Sequence, residues 1–172
     1  MKPAFLKKIP HFKFLRDIFI FALFITLLHF WQTRKLVESD ESLIPYLHLQ
    51  TLSGEVFNPH KLKGKKTLVY SFAPWCGICN VTSAAVFKIA NAYNENFHVI
   101  AVAYSFEDIL SLHAYRSNHK FNFPLLLGTE RAAELMGIHS FPTFYILNDQ
   151  GAVEYKTIGY TSYLGLYIRL WL

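Results

Sequence analysis

The residues of this 172-residue chain best suited to covalent chemistry are its two cysteines, Cys76 and Cys79. They are separated by two residues, and they follow an apolar run, 67–72, and a Pro-Trp corner. A thiolate is the nucleophile in thiol-disulfide exchange, and the start of a helix stabilises an anion. We therefore predict that Cys76 attacks a disulfide sulfur and that Cys79, one helical turn further on, resolves the mixed disulfide.

A structural metal site is the other common use of a C-x-x-C pair. A zinc ribbon needs a second C-x-x-C, and a zinc finger needs paired histidines at a set spacing after the cysteines. The chain has two cysteines in all, and its eight histidines are scattered. A disulfide-stapled secreted scaffold would carry four or more cysteines. The pair is therefore predicted to be redox-active, with no metal and no bound cofactor.

Positive charge is concentrated at the N-terminus. From residue 42 onward, ten Lys or Arg are balanced by eight Asp or Glu, whereas the whole chain carries a formal net charge of +5. A nucleic-acid-binding domain would show a basic stripe on its folded body. The distribution therefore indicates a basic tail on a nearly neutral domain and argues against a nucleic-acid partner.

An almost wholly apolar segment, 18–31, follows this tail. With its flanking residues it approaches the roughly 20 residues that cross a bilayer. A cleaved signal peptide is the main alternative, but residues 29–34 offer no small-residue cleavage site. We predict a basic tail over 1–17, an uncleaved transmembrane anchor over 18–33, a linker over 34–45 and a folded domain over 46–172.

The charges on either side of the anchor predict its orientation. Five basic residues precede it, whereas Arg34 and Lys35 after it are outnumbered by Glu38, Asp40 and Glu41. By the positive-inside rule the tail is cytoplasmic and the domain lies outside. For a single-pass protein of a bacterial inner membrane, that space is the periplasm or its equivalent, where disulfide chemistry is permitted.

Strand and helix patterns alternate along the folded domain. The runs 67–72 and 97–104 predict buried strands, and 76–93 predicts an amphipathic helix between them. That order indicates a parallel crossover unit. The remaining predictions are an edge pair within 47–57, a helix over 107–119, a strand over 123–127, a helix over 130–136, a hairpin of 143–147 with 153–158, and a closing helix over 163–172.

With these elements placed, the chain resembles a thioredoxin-fold protein. The sequence TLVYSFAPWCGIC leads into a helix, and Ser140-Phe141-Pro142-Thr143 follows about sixty residues later. The x-P-T element is similar to the family's cis-proline loop, which faces the cysteines. Over residues 45–172 the resemblance implies an α/β fold with a central mixed sheet flanked by helices. It also implies a cis Pro142 and a substrate-binding surface that includes Trp75, Phe141 and Pro142.

The branch of the family can be narrowed. The helix and strand between Glu107 and Gly128, and the lead-in HKLKGKKTLVYSFAPWC, resemble the TlpA/ResA-like redoxins. Members of that group are often tethered outside the bacterial inner membrane by one N-terminal helix. The resemblance implies reduction of disulfides in secreted or periplasmic proteins, such as apocytochrome c. It also implies electrons from a membrane thiol transporter of the DsbD or CcdA type.

Three positions distinguish this chain from a typical thioredoxin. Tyr70 stands six positions before Cys76, where thioredoxins carry a buried acid, so the usual proton acceptor for Cys79 is missing. The dipeptide Gly77-Ile78 adds no charge between the cysteines, so we expect a relatively reducing couple. His139 either lies near Cys76 and favours its thiolate or is a solvent-facing loop residue, and the sequence leaves both open.

The predicted function is therefore that of a membrane-tethered, extracytoplasmic thiol-disulfide reductase. A thiol oxidase or disulfide isomerase on the same fold is the first alternative, and the reduction potential separates it from a reductase. A non-catalytic binding or metal-delivery module is the second. Against copper delivery, the chain has two methionines and no C-x3-C motif.

Overall fold

The computed structural model describes the backbone of residues 11–93 and 95–172, with side chains from residue 14 onward within those ranges. Residues 1–10, most of the predicted basic tail, lie outside the described residues. The chain divides into two compact units, one ending at Arg34 and the other spanning Lys35–Leu172.

Among the described residues, the first unit consists of one helix, α1 (His11–Thr33), which begins earlier than the predicted anchor. Its segment Phe14–Thr33 is 20 residues long and apolar enough to cross a membrane, by length and composition. At 1.5 Å per residue this segment is about 30 Å long, the thickness of a bilayer's hydrocarbon core. Its Thr26 hydroxyl donates to the Ala22 carbonyl at 2.8 Å, which satisfies a polar group within the helix itself.

The second unit is a six-stranded mixed sheet with helices on both faces. The predicted fold class, a central mixed sheet flanked by helices, is confirmed. The strands are β1 (Gln50–Thr51), β2 (Thr67–Phe72), β3 (His98–Ala103), β4 (Leu125–Leu127), β5 (Thr143–Leu147) and β6 (Val153–Ile158). Their order across the sheet is β1-β4-β3-β2-β5-β6. The strands β2, β3 and β4 run parallel, whereas β1, β5 and β6 pair antiparallel to their neighbours. The helices are α2 (Gly77–Ala92), α3 (Ile109–Asn118), α4 (Glu130–Leu135) and α5 (Tyr163–Trp171), with 3-10 turns at Ile44–Leu47 and Pro59–Leu62.

The position of β2 at the centre of the sheet agrees with its mostly apolar sequence. All six of its residues are buried, as expected for a strand with a neighbour on each side and helices on both faces. It pairs parallel with β3 and antiparallel with β5. Because α2 connects β2 to its parallel neighbour β3, the predicted strand-helix-strand crossover is confirmed.

Residues 35–45 belong to the folded unit, contrary to the predicted linker over 34–45. The side chains of Leu36, Val37, Leu43 and Ile44 are buried in the core that lies on one face of the sheet. The Val37 N–H also donates to the Tyr145 hydroxyl at 3.1 Å. The prediction failed because the charged residues interspersed here suggested solvation, whereas the partners of these apolar side chains lie about a hundred residues further along.

The other core, on the face covered by α2, α3 and α5, is rich in aromatic side chains. Phe72 of β2 is fully buried and stacks on Tyr70 at 5.2 Å and on Tyr115 at 4.6 Å between ring centroids. Tyr70 stacks in turn on Phe144 of β5 at 5.1 Å. These rings form the floor beneath the N-terminal end of α2, where both cysteines lie.

Candidate active site

Cys76 caps the N-terminus of α2. Its backbone is extended (φ −77°, ψ 111°), and its Sγ accepts a hydrogen bond from the Cys79 N–H at 3.3 Å. An N-cap acceptor satisfies one of the backbone N–H groups that the first helical turn leaves unpaired. The same N–H and the positive end of the helix dipole stabilise negative charge on this sulfur. The Cys76 sulfur therefore lies at the positive end of the α2 dipole.

Cys79 lies one turn further into α2, and its environment differs. Its side chain is fully buried, whereas Cys76 keeps 8% of its surface exposed, and both are free thiols. Burial, together with a hydrogen bond to Cys76, raises the pKa of the Cys79 thiol to about 12. Cys76 thus keeps a small exposed surface, whereas Cys79 is a fully buried thiol whose raised pKa keeps it protonated near neutral pH.

The proline loop meets the cysteines because of the sheet order. Ser71 near the end of β2 pairs with Thr143 at the start of β5, so the residues beyond both positions emerge at the same edge. The Phe141-Pro142 peptide bond is cis, which confirms the expectation drawn from the resemblance. The Cys76 Sγ lies 3.7 Å from the Phe141 carbonyl oxygen and can donate to it.

Exposed apolar side chains surround the reachable sulfur. Trp75 is 67% exposed, and its Nε1–H donates to the Ser105 carbonyl at 2.8 Å, which fixes the indole over the loop after β3. Its ring meets Phe141 edge-on at 6.2 Å. Ile78 and Val81 add further exposed apolar surface on the first turns of α2. This surface is suited to an apolar polypeptide segment more than to a small charged ligand.

A cleft of about 450 Å³ opens on the other side of Phe141. Its walls include Tyr104, Gly128, Glu130 and His139. His139 is exposed, and its Nδ1 lies 2.7 Å from the Gly137 carbonyl oxygen. The structure therefore records for His139 a contact with its own loop and exposure to solvent, which favours the second of the two readings left open by the sequence.

Two residues of the site were missed by the sequence analysis, Ser83 and Tyr115. The Tyr70 hydroxyl lies 3.0 Å from the Cys79 carbonyl oxygen and 3.1 Å from the Ser83 Oγ. The Ser83 Oγ lies 2.9 Å from the Tyr115 hydroxyl. Ser83 could have been found from its spacing, four residues after Cys79 on the same helix face. Nothing in the sequence links Tyr115 of α3 to this cluster.

Within the ranges that the structure describes, no group of three or more His, Cys, Asp or Glu side chains could hold a metal ion. The chemistry available at the described site is that of the two sulfurs. A Cys76 thiolate can form a bond to a substrate sulfur, and Cys79 is placed to displace that substrate by forming the Cys76-Cys79 disulfide.

The sequence is similar to a known protein family and to individual thioredoxin-like proteins. The sequence model of the AhpC/TSA family matches residues 41–156. A thioredoxin-like protein of Haemophilus influenzae is 33% identical over 124 residues, which are 71% of this chain and 72% of that protein. The thiol-disulfide oxidoreductase ResA of Bacillus subtilis is 25% identical over 120 residues, 67% of this chain and 65% of ResA.

Solved structures show the same fold. The crystal structure of a secreted Mycobacterium tuberculosis disulfide oxidoreductase, described as homologous to Escherichia coli DsbE, superposes with a TM-score of 0.64. The two chains are 22% identical, and the match covers 73% of this chain and 96% of the other. The thioredoxin-like fold expected from the C-x-x-C and x-P-T elements is thereby confirmed.

Proposed function

Because the chain belongs to the AhpC/TSA family and is a thioredoxin-like thiol-disulfide oxidoreductase, we propose that it reduces disulfides of proteins outside the cytoplasm. The observation that carries this proposal is the unequal burial of the two sulfurs at the start of α2. Cys76 accepts a hydrogen bond from a backbone N–H and keeps 8% of its surface exposed, whereas Cys79, one turn away, is fully buried. That asymmetry suits an attacking thiol and a resolving thiol.

The proposed reaction has two exchange steps. The Cys76 thiolate attacks one sulfur of the substrate disulfide, forms a mixed disulfide and releases the other substrate sulfur as a thiolate. Cys79 then loses its proton and attacks the Cys76 Sγ, which breaks the bond to the substrate. Both substrate sulfurs end as thiols once protonated, and the two electrons that they gained come from the Cys76-Cys79 pair.

Trp75, Phe141 and Pro142 are proposed to hold the substrate during these steps. The exposed Trp75 indole meets the half-buried Phe141 ring edge-on, and the Phe141 carbonyl oxygen lies 3.7 Å from the Cys76 Sγ. An extended substrate segment would lie along the backbone of the proline loop, as peptides do when they add a strand to a sheet. Substrates of this kind are unfolded or flexible chains, and apocytochrome c is the example that the family resemblance implies.

The proposed location rests on α1. Its 20-residue apolar segment follows a basic tail, so a single pass with the tail in the cytoplasm satisfies the positive-inside rule. The domain would then lie outside a bacterial inner membrane. A membrane thiol transporter of the DsbD or CcdA type would restore the dithiol after each turnover.

The reduction potential of the Cys76-Cys79 couple tests the direction of electron flow. No charged side chain lies between the cysteines to stabilise the reduced form, so we expect a value between about −200 and −270 mV, as in glutaredoxins and thioredoxin. Equilibration of the full chain with glutathione or dithiothreitol buffers measures it. A value near about −120 mV, like that of DsbA, would instead identify an oxidase.

A matched variant controls this measurement. Ile78 is about half exposed, so Ile78→His places an imidazole between the cysteines without disturbing the core. We expect this variant to have a potential tens of millivolts higher, because a cationic neighbour stabilises the thiolate form. An unchanged reduction potential in Ile78→His would show that the charge between the cysteines does not determine the potential of the Cys76-Cys79 couple.

The topology can be tested with a phosphatase that folds only in the periplasm. Fused to the C-terminus of the full chain, it is expected to be active in an Escherichia coli host. The same enzyme fused after residue 13, before the apolar segment, is the control and should stay inactive. A C-terminal fusion that is expressed at a normal level but shows no phosphatase activity would contradict the proposed orientation.

A further inference from the structure

Three hydroxyl groups form a continuous chain behind Cys79. They belong to Tyr70 on β2, Ser83 on α2 and Tyr115 on α3, and neighbouring oxygens lie 3.1 and 2.9 Å apart. All three side chains are buried. The chain ends on the Cys79 carbonyl oxygen, 3.0 Å from the Tyr70 hydroxyl. No step of the reaction described above uses this cluster.

The direction of these hydrogen bonds follows from the number of protons. Each hydroxyl has one proton to donate, and a backbone carbonyl oxygen has none. Tyr70 must therefore donate to the Cys79 carbonyl, so Ser83 donates to Tyr70 and Tyr115 donates to Ser83. The Cys79 carbonyl already accepts the helical N–H four residues further on, so the bond from Tyr70 is an additional one. Tyr70 can give it up without leaving that oxygen unpaired.

Tyr70 cannot replace the missing acid as a base. Burial, reinforced by Tyr115 and Cys79, raises the pKa of its phenol far above the ordinary value, so the hydroxyl keeps its proton at any physiological pH. The same hydroxyl lies 3.0 Å from the carbonyl oxygen of Cys79, the residue whose sulfur resolves the mixed disulfide. The chemistry open to Tyr70 is that of a hydrogen-bond donor.

We propose that the Tyr70 hydroxyl, held by Ser83 and Tyr115, turns from the carbonyl oxygen of Cys79 to its sulfur and stabilises the thiolate in the resolving step. A buried thiolate has no water to solvate it, so one charge-assisted hydrogen bond is a large part of its stabilisation. This inference rests on the proposed function, since it assigns Cys79 as the resolving thiol.

The step balances without any further reactant. Cys79 loses its proton and attacks the Cys76 Sγ, the bond between Cys76 and the substrate sulfur breaks, and the substrate leaves as a thiolate. That thiolate takes up a proton in place of the one that Cys79 lost. Tyr70 keeps its own proton throughout, which distinguishes it from the carboxylate of a typical thioredoxin.

Ellman's reagent separates the two steps in the full chain, because Cys76 and Cys79 are its only thiols. The reduced protein releases one equivalent of coloured thiol when Cys76 attacks and a second when Cys79 resolves the adduct. In stopped-flow experiments Tyr70→Phe is expected to slow the second release at neutral pH by about tenfold or more, the effect of losing a hydrogen bond to a charged group. The first release should change less than about twofold. The pH midpoint of the second release should also rise.

Two further variants keep the test specific. Ser83→Ala leaves Tyr70 in place but removes its support, and it should slow the second release by about threefold, as for a neutral hydrogen bond. Tyr145→Phe is the control, since this buried tyrosine on β5 donates to the Met136 carbonyl within the core on the other face of the sheet. It should leave both releases unchanged.

Each outcome decides a different claim. A wild-type protein that releases one equivalent and stops would overturn the proposed function, and with it this inference. A normal wild-type protein whose second release is unaffected by Tyr70→Phe would overturn this inference alone. Equal slowing of both releases would also overturn this inference alone, because it would show that Tyr70 serves only the packing of the site.

Discussion

Cys79→Ser is expected to stop turnover and to accumulate a covalent complex between the protein and its substrate. Cys76 keeps its N-cap position and its reachable sulfur, so the first exchange proceeds. The serine hydroxyl that replaces the resolving thiol is not ionised near neutral pH and cannot displace the substrate. Steady-state reduction of insulin should therefore fall by at least about a thousandfold, and non-reducing electrophoresis should show the mixed disulfide.

Cys76→Ser is the matched variant, and its expected result differs in kind. Turnover should fall by at least about a thousandfold here too, but without any trapped complex. The remaining thiol, Cys79, is fully buried, so burial still raises its pKa and keeps it away from the substrate. An abundant mixed disulfide in Cys76→Ser, or near-normal turnover in either variant, would contradict the assigned order of attack.

Phe72→Ala is expected to cause the largest loss of stability. Phe72 is fully buried at the C-terminal end of β2, and its ring stacks between Tyr70 and Tyr115. Truncating a buried phenylalanine removes its transfer free energy and leaves a cavity, which together cost about 3–5 kcal/mol. Urea unfolding of the reduced full chain in detergent, monitored by circular dichroism, measures the change in the free energy of unfolding.

The control for this substitution is Leu110→Ala on α3. Leu110 is 77% exposed, so its truncation should change the free energy of unfolding by no more than about 0.5 kcal/mol. Phe72→Ala should also slow the second release from Ellman's reagent, because the two tyrosines of the hydroxyl chain pack against this ring. A loss below about 1 kcal/mol would show that these aromatic rings repack easily and are not the rigid floor of the site.

The elements around the cysteines could be predicted because their signals are local. The run 67–72 is mostly apolar and favours a strand, and it becomes the fully buried β2. The apolar spacing after Cys76 predicts α2 to within one residue at each end. The x-P-T element predicted the cis bond before Pro142. These features depend on residues close in sequence, or on a motif whose geometry recurs across a family.

The features that could not be predicted depend on contacts between distant residues. Leu36 and Val37 are surrounded by charged residues in the sequence, yet they are buried against the sheet, where the Val37 N–H donates to the hydroxyl of Tyr145. Tyr115 reaches Ser83 only because α3 packs beside α2, across 32 residues of chain. Hydrophobic periodicity describes which face of an element is buried, but not which side chain lies opposite.

The fate of the two thiols in a single turnover tests the central claim most directly. The reduced wild-type protein is mixed with insulin, the remaining thiols are alkylated at low pH, and both products are analysed by mass spectrometry. We expect an intramolecular Cys76-Cys79 disulfide, a protein lighter by two hydrogen atoms, and one insulin disulfide reduced for each pair oxidised. Insulin reduced while Cys76 and Cys79 both remain alkylatable, or a dithiol that insulin never oxidises, would contradict it.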